Sequence, residues 1–176
     1  MSRTIKDVLN LFPETTEADW KQHAKGGGWV KTTAHADETA TIEGLVYGNA
    51  QVYGNAQVSG NARVYGNAWV YGNAWVSGNA WVYGNAWVYG NARVSGDADF
   101  FLLGPIGSRR DHLCIHADTK IGVRFTTGCF SGTEYQFKAA IQKTHGDSEI
   151  GRQYSAALNL ALMMVRPAKV ENEEAA

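Results

Sequence analysis

Valine and alanine recur with a fixed period through the middle of the chain. From Tyr47 to Val94 the sequence consists of eight uninterrupted hexads of the form (Tyr/Ser)-Gly-Asn-Ala-x-Val. Ala and Val alternate with x and Tyr/Ser, which predicts a short strand with Ala and Val on its inner face. The Gly-Asn pair tolerates positive φ and predicts a sharp corner between strands. A fixed short period of this kind predicts stacked structural repeats.

Three strands and three corners would close a coil of eighteen residues. Stacked coils then satisfy one another's backbone groups at the parallel-strand spacing of roughly 4.8 Å. In this register residues eighteen apart share one side, so the repeat serines all fall on one side. The outward tyrosines fall on the other two sides. This sorting supports three hexads per coil.

The hexads resemble those of left-handed β-helix proteins built from hexapeptide repeats. In that pattern an aliphatic residue is followed by three variable residues, a small residue and one more, and the run from Val52 to Gln57 fits it. The Tyr-Gly-Asn-Ala form is also similar to repeats encoded by phages and prophages. The resemblance implies a mainly β fold, a three-sided left-handed parallel β-helix, and only the resemblance implies the handedness.

The sequence on either side of the hexads predicts further segments. The expected organisation is an N-terminal helical cap with a Gly-rich turn (1–30), the hexapeptide-repeat β-helix (31–100), a small C-terminal α+β domain of a β-hairpin plus two helices (101–168), and an acidic tail (169–176). Residues 31–46 are degenerate repeats, and the last of them is two residues short, which predicts a tightened corner or a bulge.

Periodicity and capping residues place the helices within these segments. Residues 3–12 predict one helix, and Thr15 or Thr16 would cap a second short helix containing Trp20. The two C-terminal helices are expected over 133–143 and 148–165, separated by Gly146 as C-cap and Asp147 as N-cap.

The C-terminal segment resembles a module found in phage proteins. The likeness rests on three short motifs: Gly104–Arg109, Gly128–Thr133 and His145–Asp147. The resemblance implies a phage context and no particular chemistry. Together with the hexads it covers most of residues 26–165.

The loop Gly104–Arg110 is the strongest candidate for a ligand site. Its glycines expose backbone N–H groups, a serine adds a hydroxyl, and two guanidinium groups suit phosphate or carboxylate. The predicted ligand-binding residues are Gly107, Ser108, Arg109, Arg110 and His112. An ordinary solvated turn with two surface arginines is the alternative.

Other reactive residue types have a functional and a plainer interpretation. His35 occupies an outward position and is a candidate general base if the chain is an acyltransferase, but a surface histidine also fits. Cys129 fits a nucleophile, although a small core residue is the favoured interpretation. His112, Cys114 and His116 lack a fourth ligand and the usual spacing of a metal site, so neither a metal nor a cofactor is expected.

The amino-acid composition limits the classes of binding partner and the cellular compartment that we expect for this protein. The net charge of −1 without a basic stripe argues against duplex DNA as a partner. Two cysteines favour a reducing compartment, and the absence of a signal-peptide pattern or a membrane-length apolar run favours a soluble protein. With the phage resemblance, the expected location is the cytoplasm of an infected or lysogenic bacterial host.

Outward aromatic residues on two sides of the coil predict an oligomer, and hexapeptide-repeat proteins typically form trimers. The predicted homotrimer interface consists of Tyr53, Trp69, Tyr71, Trp87, Tyr89, Tyr65, Trp81 and Tyr83. The leading functional hypothesis is a non-enzymatic trimeric phage-type binding protein that captures a small anionic ligand, such as a nucleotide, or a host defence protein. The alternatives are a hexapeptide-repeat acyltransferase, although no loop interrupts residues 47–94, and a structural or assembly protein of a virion.

Overall fold

The structure is a computed structural model and describes residues 3–96 and 99–170. The chain divides into a first unit, residues 1–96, and a second unit, residues 97–176. The protein is mainly β: the first unit is a β-solenoid of about four turns, and the second combines a sheet with two helices. Residues 171–176 of the predicted acidic tail lie outside the described residues.

The strands of the first unit are short and follow the hexads. They are β1 Trp20–Gln22, β2 Trp29–Lys31, β3 His35–Ala36, β4 Thr41–Ile42, β5 Leu45–Val46, β6 Gln51–Val52, β7 Gln57–Val58, β8 Arg63–Val64, β9 Trp69–Val70, β10 Trp75–Val76, β11 Trp81–Val82, β12 Trp87–Val88 and β13 Arg93–Val94. They pair into three sheets, ordered β1-β2-β5-β8-β11, β12-β9-β6-β3 and β13-β10-β7-β4. Trp75 pairs in parallel with Gln57 and with Arg93, so the predicted eighteen-residue period is confirmed.

The interior of the solenoid consists of the repeated Val and Ala side chains. All eight hexad valines, from Val52 to Val94, are fully buried, which confirms their predicted inward position. The corners bring successive backbones into close approach: Gly66 has φ +73°, and a methyl group added there would lie 2.9 Å from the backbone nitrogen of Gly84. Glycine is therefore required at this corner both for its backbone conformation and for its lack of a side chain.

The N-terminal segment caps one end of the stack with a helix and a hairpin. Helix α1, Ile5–Leu11, begins at a capping box between Thr4 and Asp7. The predicted second helix is wrong: only Glu17–Asp19 forms a single 3₁₀ turn, and Trp20 begins strand β1. β1 pairs antiparallel with β2, and β2 pairs in parallel with β5. An extended conformation satisfies the backbone edge of the sheet, which a helix at this position would leave unpaired.

The shortened repeat forms a tight corner, as predicted. β4 ends at Ile42 and β5 begins at Leu45, so only two residues, Glu43 and Gly44, separate the strands. The backbone nitrogens of Glu43 and Gly44 both donate to the carbonyl oxygen of Val58, at 2.7 and 3.0 Å. One carbonyl of the next coil therefore bonds to both residues of the shortened corner.

The second unit consists of one antiparallel sheet and two helices. The strands are β14 Phe100–Ile106, β15 Asp111–Asp118, β16 Gly122–Thr127 and β17 Phe130–Gly132, in that order across the sheet. The predicted hairpin is the central pair, β15 and β16. The helices are α2 Glu134–His145 and α3 Glu149–Met164. Their core includes Leu113, Ile115, Phe125, Phe137, Ile141, Leu158 and Ala161.

The junction of α2 and α3 differs from the prediction by one residue. Gly146 is the C-cap of α2 with φ +51°, as expected. The N-cap of α3 is Ser148 and not Asp147, because the Ser148 hydroxyl accepts from the backbone nitrogen of Gly151 at 3.2 Å. Within the described part of the chain no helix has the length and hydrophobicity needed to cross a membrane.

Candidate ligand site

A cavity in the second unit lies where two turns of the sheet meet the helices. Its volume is about 390 Å³, within the range of small-molecule sites. Ser108, Arg109 and Asp111 line the cavity from the turn region between β14 and β15. Residues 127–130 line it from the turn region between β16 and β17. Side chains of α2 and Tyr154 of α3 close the remaining side. The walls therefore come from two turns and two helices, spread over residues 108–154.

The floor of the cavity is aromatic. The ring centroids of Phe130 and Phe137 are 5.2 Å apart, and the ring of Tyr154 meets Phe137 edge-on at 5.9 Å. His145, the last residue of α2, stacks on Tyr154 with centroids 5.7 Å apart and ring planes inclined by 25°. Aromatic side chains supply large flat apolar surfaces, so this floor suits a planar ligand.

The turn between β14 and β15 has a conformation that depends on glycine. Gly107 has φ +73°, and the backbone nitrogen of Arg110 donates to its carbonyl oxygen at 3.1 Å. Arg110 itself has φ +51°. A methyl group on Gly107 would overlap the hydroxyl of Tyr154. Gly107 therefore allows the turn to lie directly against the aromatic floor.

Two opposite charges lie at the rim. A methyl group placed on Gly128 would lie 3.5 Å from Asp111 Oδ2 and 3.9 Å from Arg109 Nη2, so both side chains approach the same point. The backbone nitrogen of His112 donates to Asp111 Oδ1 at 2.7 Å, which orients the carboxylate. No carboxylate in the described part of the chain forms an ion pair with Arg109. The side chain of Arg109 is exposed at the rim.

The predicted ligand residues separate into two groups in the structure. Ser108 and Arg109 line the cavity, and Gly107 lies behind its wall against the phenol of Tyr154. Arg110 is exposed and His112 is partly exposed, and the cavity wall includes neither of them. A role in ligand binding stays a prediction for each of the five residues, Gly107 to Arg110 and His112.

Sequence reasoning about one loop missed most of the cavity. The three motifs that carry the phage resemblance, Gly104–Arg109, Gly128–Thr133 and His145–Asp147, each contribute residues to this one cavity. In the sequence, the three motifs share one feature that could have indicated a common site: each has glycine beside polar residues at the end of a predicted strand or helix. The floor residues Phe137 and Tyr154 lie within the two predicted C-terminal helices, but helical periodicity does not show what a buried ring faces.

Cysteine and histidine residues outside the predicted loop have varied environments. Cys129 is exposed in the turn that borders the cavity, so the favoured core interpretation is wrong; Gly128, with φ +53°, begins this turn. His35 is exposed on the solenoid, where its ring lies 5.0 Å from the ring of Tyr53 with the planes inclined by 37°. His116 is fully buried, and burial lowers its pKa to about 4. No cluster of three metal-ligating side chains is found among the described residues.

Outward aromatic residues form ladders on two sheets of the solenoid. On the sheet of β9 and β12, Trp69 stacks on Trp87 at 5.9 Å, and Tyr71 stacks on Tyr89 at 4.9 Å. On the sheet of β8 and β11, Tyr65 stacks on Tyr83 at 5.6 Å. The eighteen-residue period places identical ring types above one another and so creates these stacks.

Comparison with known proteins gives one match, and it concerns the repeats. The model of the YdcK beta-solenoid repeat family matches residues 56–72, 68–84, 74–90 and 86–98. No curated protein and no solved structure matches the chain. The family match and the stacked coils together identify this chain as a β-solenoid repeat protein.

Proposed function

We propose that this chain is a non-enzymatic, homotrimeric phage-type protein that captures a small anionic ligand, such as a nucleotide, in the cavity of its second unit. One observation carries the proposal. Motifs from three separate parts of the sequence meet at a single cavity of about 390 Å³ that has an aromatic floor and an arginine at its rim.

The chemistry of the cavity supports a ligand with a ring and a negative charge. The rings of Phe130, Phe137 and Tyr154 offer an apolar surface for a planar group. Arg109 offers a guanidinium group without an ion-pair partner in the described part of the chain, and guanidinium binds phosphate or carboxylate through two parallel hydrogen bonds. The Ser108 hydroxyl adds a further donor beside it.

Arg109→Gln and its neighbour Arg110→Gln provide a matched pair of variants. Both remove one positive charge from the same turn, but only Arg109 lines the cavity. Native mass spectrometry of protein taken directly from cells would first identify a retained ligand. Calorimetric titration with adenine and guanine nucleotides then measures affinity, and we expect Arg109→Gln to weaken binding about tenfold or more while Arg110→Gln changes it little.

Two results would contradict the proposal. Equal loss of affinity in both variants would mean that the charge acts through the general field of the turn and not through contact in the cavity. Loss of thermal stability in Arg109→Gln would mean that the residue has a structural role. The intact melting temperature of both variants is therefore the control measurement.

For the solenoid itself, we propose the three-sided left-handed β-helix. Support comes from the strands of the regular hexads, which pair in parallel within three sheets at a separation of eighteen residues, as three hexads per coil require. The handedness rests on the resemblance of the hexads to left-handed β-helix proteins.

The aromatic ladders support the homotrimer. Trp69, Trp87, Trp81 and Tyr83 remain 37 to 46% exposed in the single chain. Each large aromatic residue can bury roughly 150–250 Å², and a monomer seldom leaves a contiguous apolar patch larger than several hundred Å² in water. A three-fold axis at the edge between the two sheets would pack the ladder of one subunit against the other ladder of its neighbour, which closes as a ring.

A further inference from the structure

The rim of the cavity contains one cation and one anion. Among the described residues that line the cavity, Arg109 is the one arginine and Asp111 the one carboxylate; the lining also includes Cys129, His145 and Tyr154. Asp111 Oδ2 lies on the side of Gly128, because Oδ1 already accepts from the backbone nitrogen of His112. A ligand group bound by Arg109 at this point is therefore also close to a fixed carboxylate.

This arrangement limits the charge of the ligand. One guanidinium group balances one negative charge, and each additional negative charge on the ligand meets the field of Asp111. Two unit charges at 4 Å repel by about 1 kcal/mol even in bulk water, and more where the solvent is partly excluded. A phosphomonoester carries roughly 1.5 to 2 negative charges at neutral pH, whereas a phosphodiester carries one. The rim therefore suits a singly charged group better than a monoester or a polyphosphate.

Asp111 also contributes an attractive interaction of its own. An ionised carboxylate accepts hydrogen bonds only, so its free oxygen selects a ligand with an O–H or N–H group beside the charged one. The open side of Gly128 leaves space for such a group, since a methyl group there would make only ordinary contacts, the nearest at 3.5 Å. The ligand must then combine a ring for the aromatic floor, one negative charge for Arg109 and a donor for Asp111.

We propose that the cavity selects a nucleoside phosphodiester, with one negative charge and a neighbouring hydroxyl or amino donor, and that Asp111 rejects phosphomonoesters and polyphosphates. This inference rests on the proposed function, since it assigns a ligand class and a specificity-determining residue to the same cavity. Arg109 and the aromatic floor provide affinity, and Asp111 provides the discrimination by charge.

Calorimetric titration of the intact chain with four adenine compounds tests the selection. The probes are adenosine 3′,5′-cyclic monophosphate, AMP, ATP and adenosine, in one buffer at pH 7 and fixed salt, followed by the corresponding guanine set. We expect the cyclic phosphodiester to bind about tenfold more tightly than AMP and ATP. Adenosine should bind more weakly than the cyclic compound, because it has no charge for Arg109.

The variant Asp111→Asn tests the role of the carboxylate. Asparagine keeps a side-chain oxygen that can accept from the backbone nitrogen of His112, so the turn should be preserved. We expect AMP to gain about fivefold in affinity relative to the cyclic compound, which corresponds to the repulsion removed. Asp147→Asn is the matched control, since Asp147 is exposed and does not line the cavity.

The outcomes separate this inference from the proposed function. ATP or AMP binding as tightly as the cyclic compound would overturn the selection by charge and leave nucleotide capture standing. Identical effects of Asp111→Asn and Asp147→Asn would overturn the role of Asp111. Failure of every adenine and guanine compound to bind would overturn nucleotide capture itself, and this inference with it.

Discussion

The variant Val76→Asp places a charge in the centre of the solenoid and tests the inward assignment of the hexad valines. Val76 on β10 is fully buried and pairs with Val58 and Val94 on the neighbouring strands. Val76→Ala removes the equivalent of two methyl groups, so transfer and cavity terms together predict a loss of about 2 kcal/mol in unfolding free energy. Val76→Asp adds the burial of an unpaired carboxylate, which costs several kcal/mol more. The total approaches the 5–15 kcal/mol that stabilises a typical domain, so the first unit should unfold.

The distribution of tryptophan makes this experiment selective for the first unit. All six tryptophans lie between Trp20 and Trp87. Urea denaturation followed by tryptophan fluorescence therefore reports on the solenoid, and the helices of the second unit do not contribute to the signal. This matters because a chain with two units need not unfold in one step.

Ser77→Asp is the matched control for the same measurement. Ser77 is the next residue along and is partly exposed, with its hydroxyl 3.4 Å from that of Ser95. We expect this variant to lose less than about 1 kcal/mol, because the new carboxylate remains hydrated. Equal denaturation midpoints for Val76→Asp and Ser77→Asp would refute the assigned register, since a one-residue slip exchanges the two faces of every strand.

Three further predictions concern the oligomer, a buried histidine and the cavity wall. Trp87→Glu should dissociate a trimer of 19.2 kDa chains in sedimentation equilibrium, whereas Trp75→Glu, on the third sheet and similarly exposed (40 against 43%), should not; equal behaviour would disprove the assigned interface. Burial lowers the pKa of His116 from 6.5 to about 4. Between these pH values the unfolded chain binds more protons than the folded chain. The contribution of neutral His116 to the unfolding free energy is therefore complete above pH 6.5, and the unfolding free energy should fall by about 3 kcal/mol by pH 4. Circular dichroism of the helices would follow this loss, and a His116→Gln variant with the same pH profile would contradict it. Gly107→Ala should displace Tyr154 and weaken ligand binding by at least about tenfold in calorimetry, because the added methyl overlaps the phenol and φ is +73°; unchanged affinity would show that the turn does not shape the cavity.

Local sequence rules predicted the repeats well because each hexad contains the residues that determine its own strand and turn. Alternation, a corner at Gly-Asn and an unbroken period specify the strand, the turn and the stacking distance without reference to the rest of the chain. The N-terminal segment shows where such rules fail. Trp20 was expected within a short helix, but it begins a strand that pairs along the edge of the stack, and its ring packs on Phe12 and Tyr47.

The sequence alone determined the eighteen-residue period, the burial of Val52 and its equivalents, and the two C-terminal helices, because these depend on contacts between residues at fixed short spacings. Only the tertiary structure decided that Arg109, Gly128 and His145 border one cavity and that Asp111 faces the same point as Arg109. Arg109 and Asp111 belong to one turn region, Gly128 to another, and His145 ends α2, so the distances between them depend on how the sheet and helices of the second unit pack, which no local period encodes.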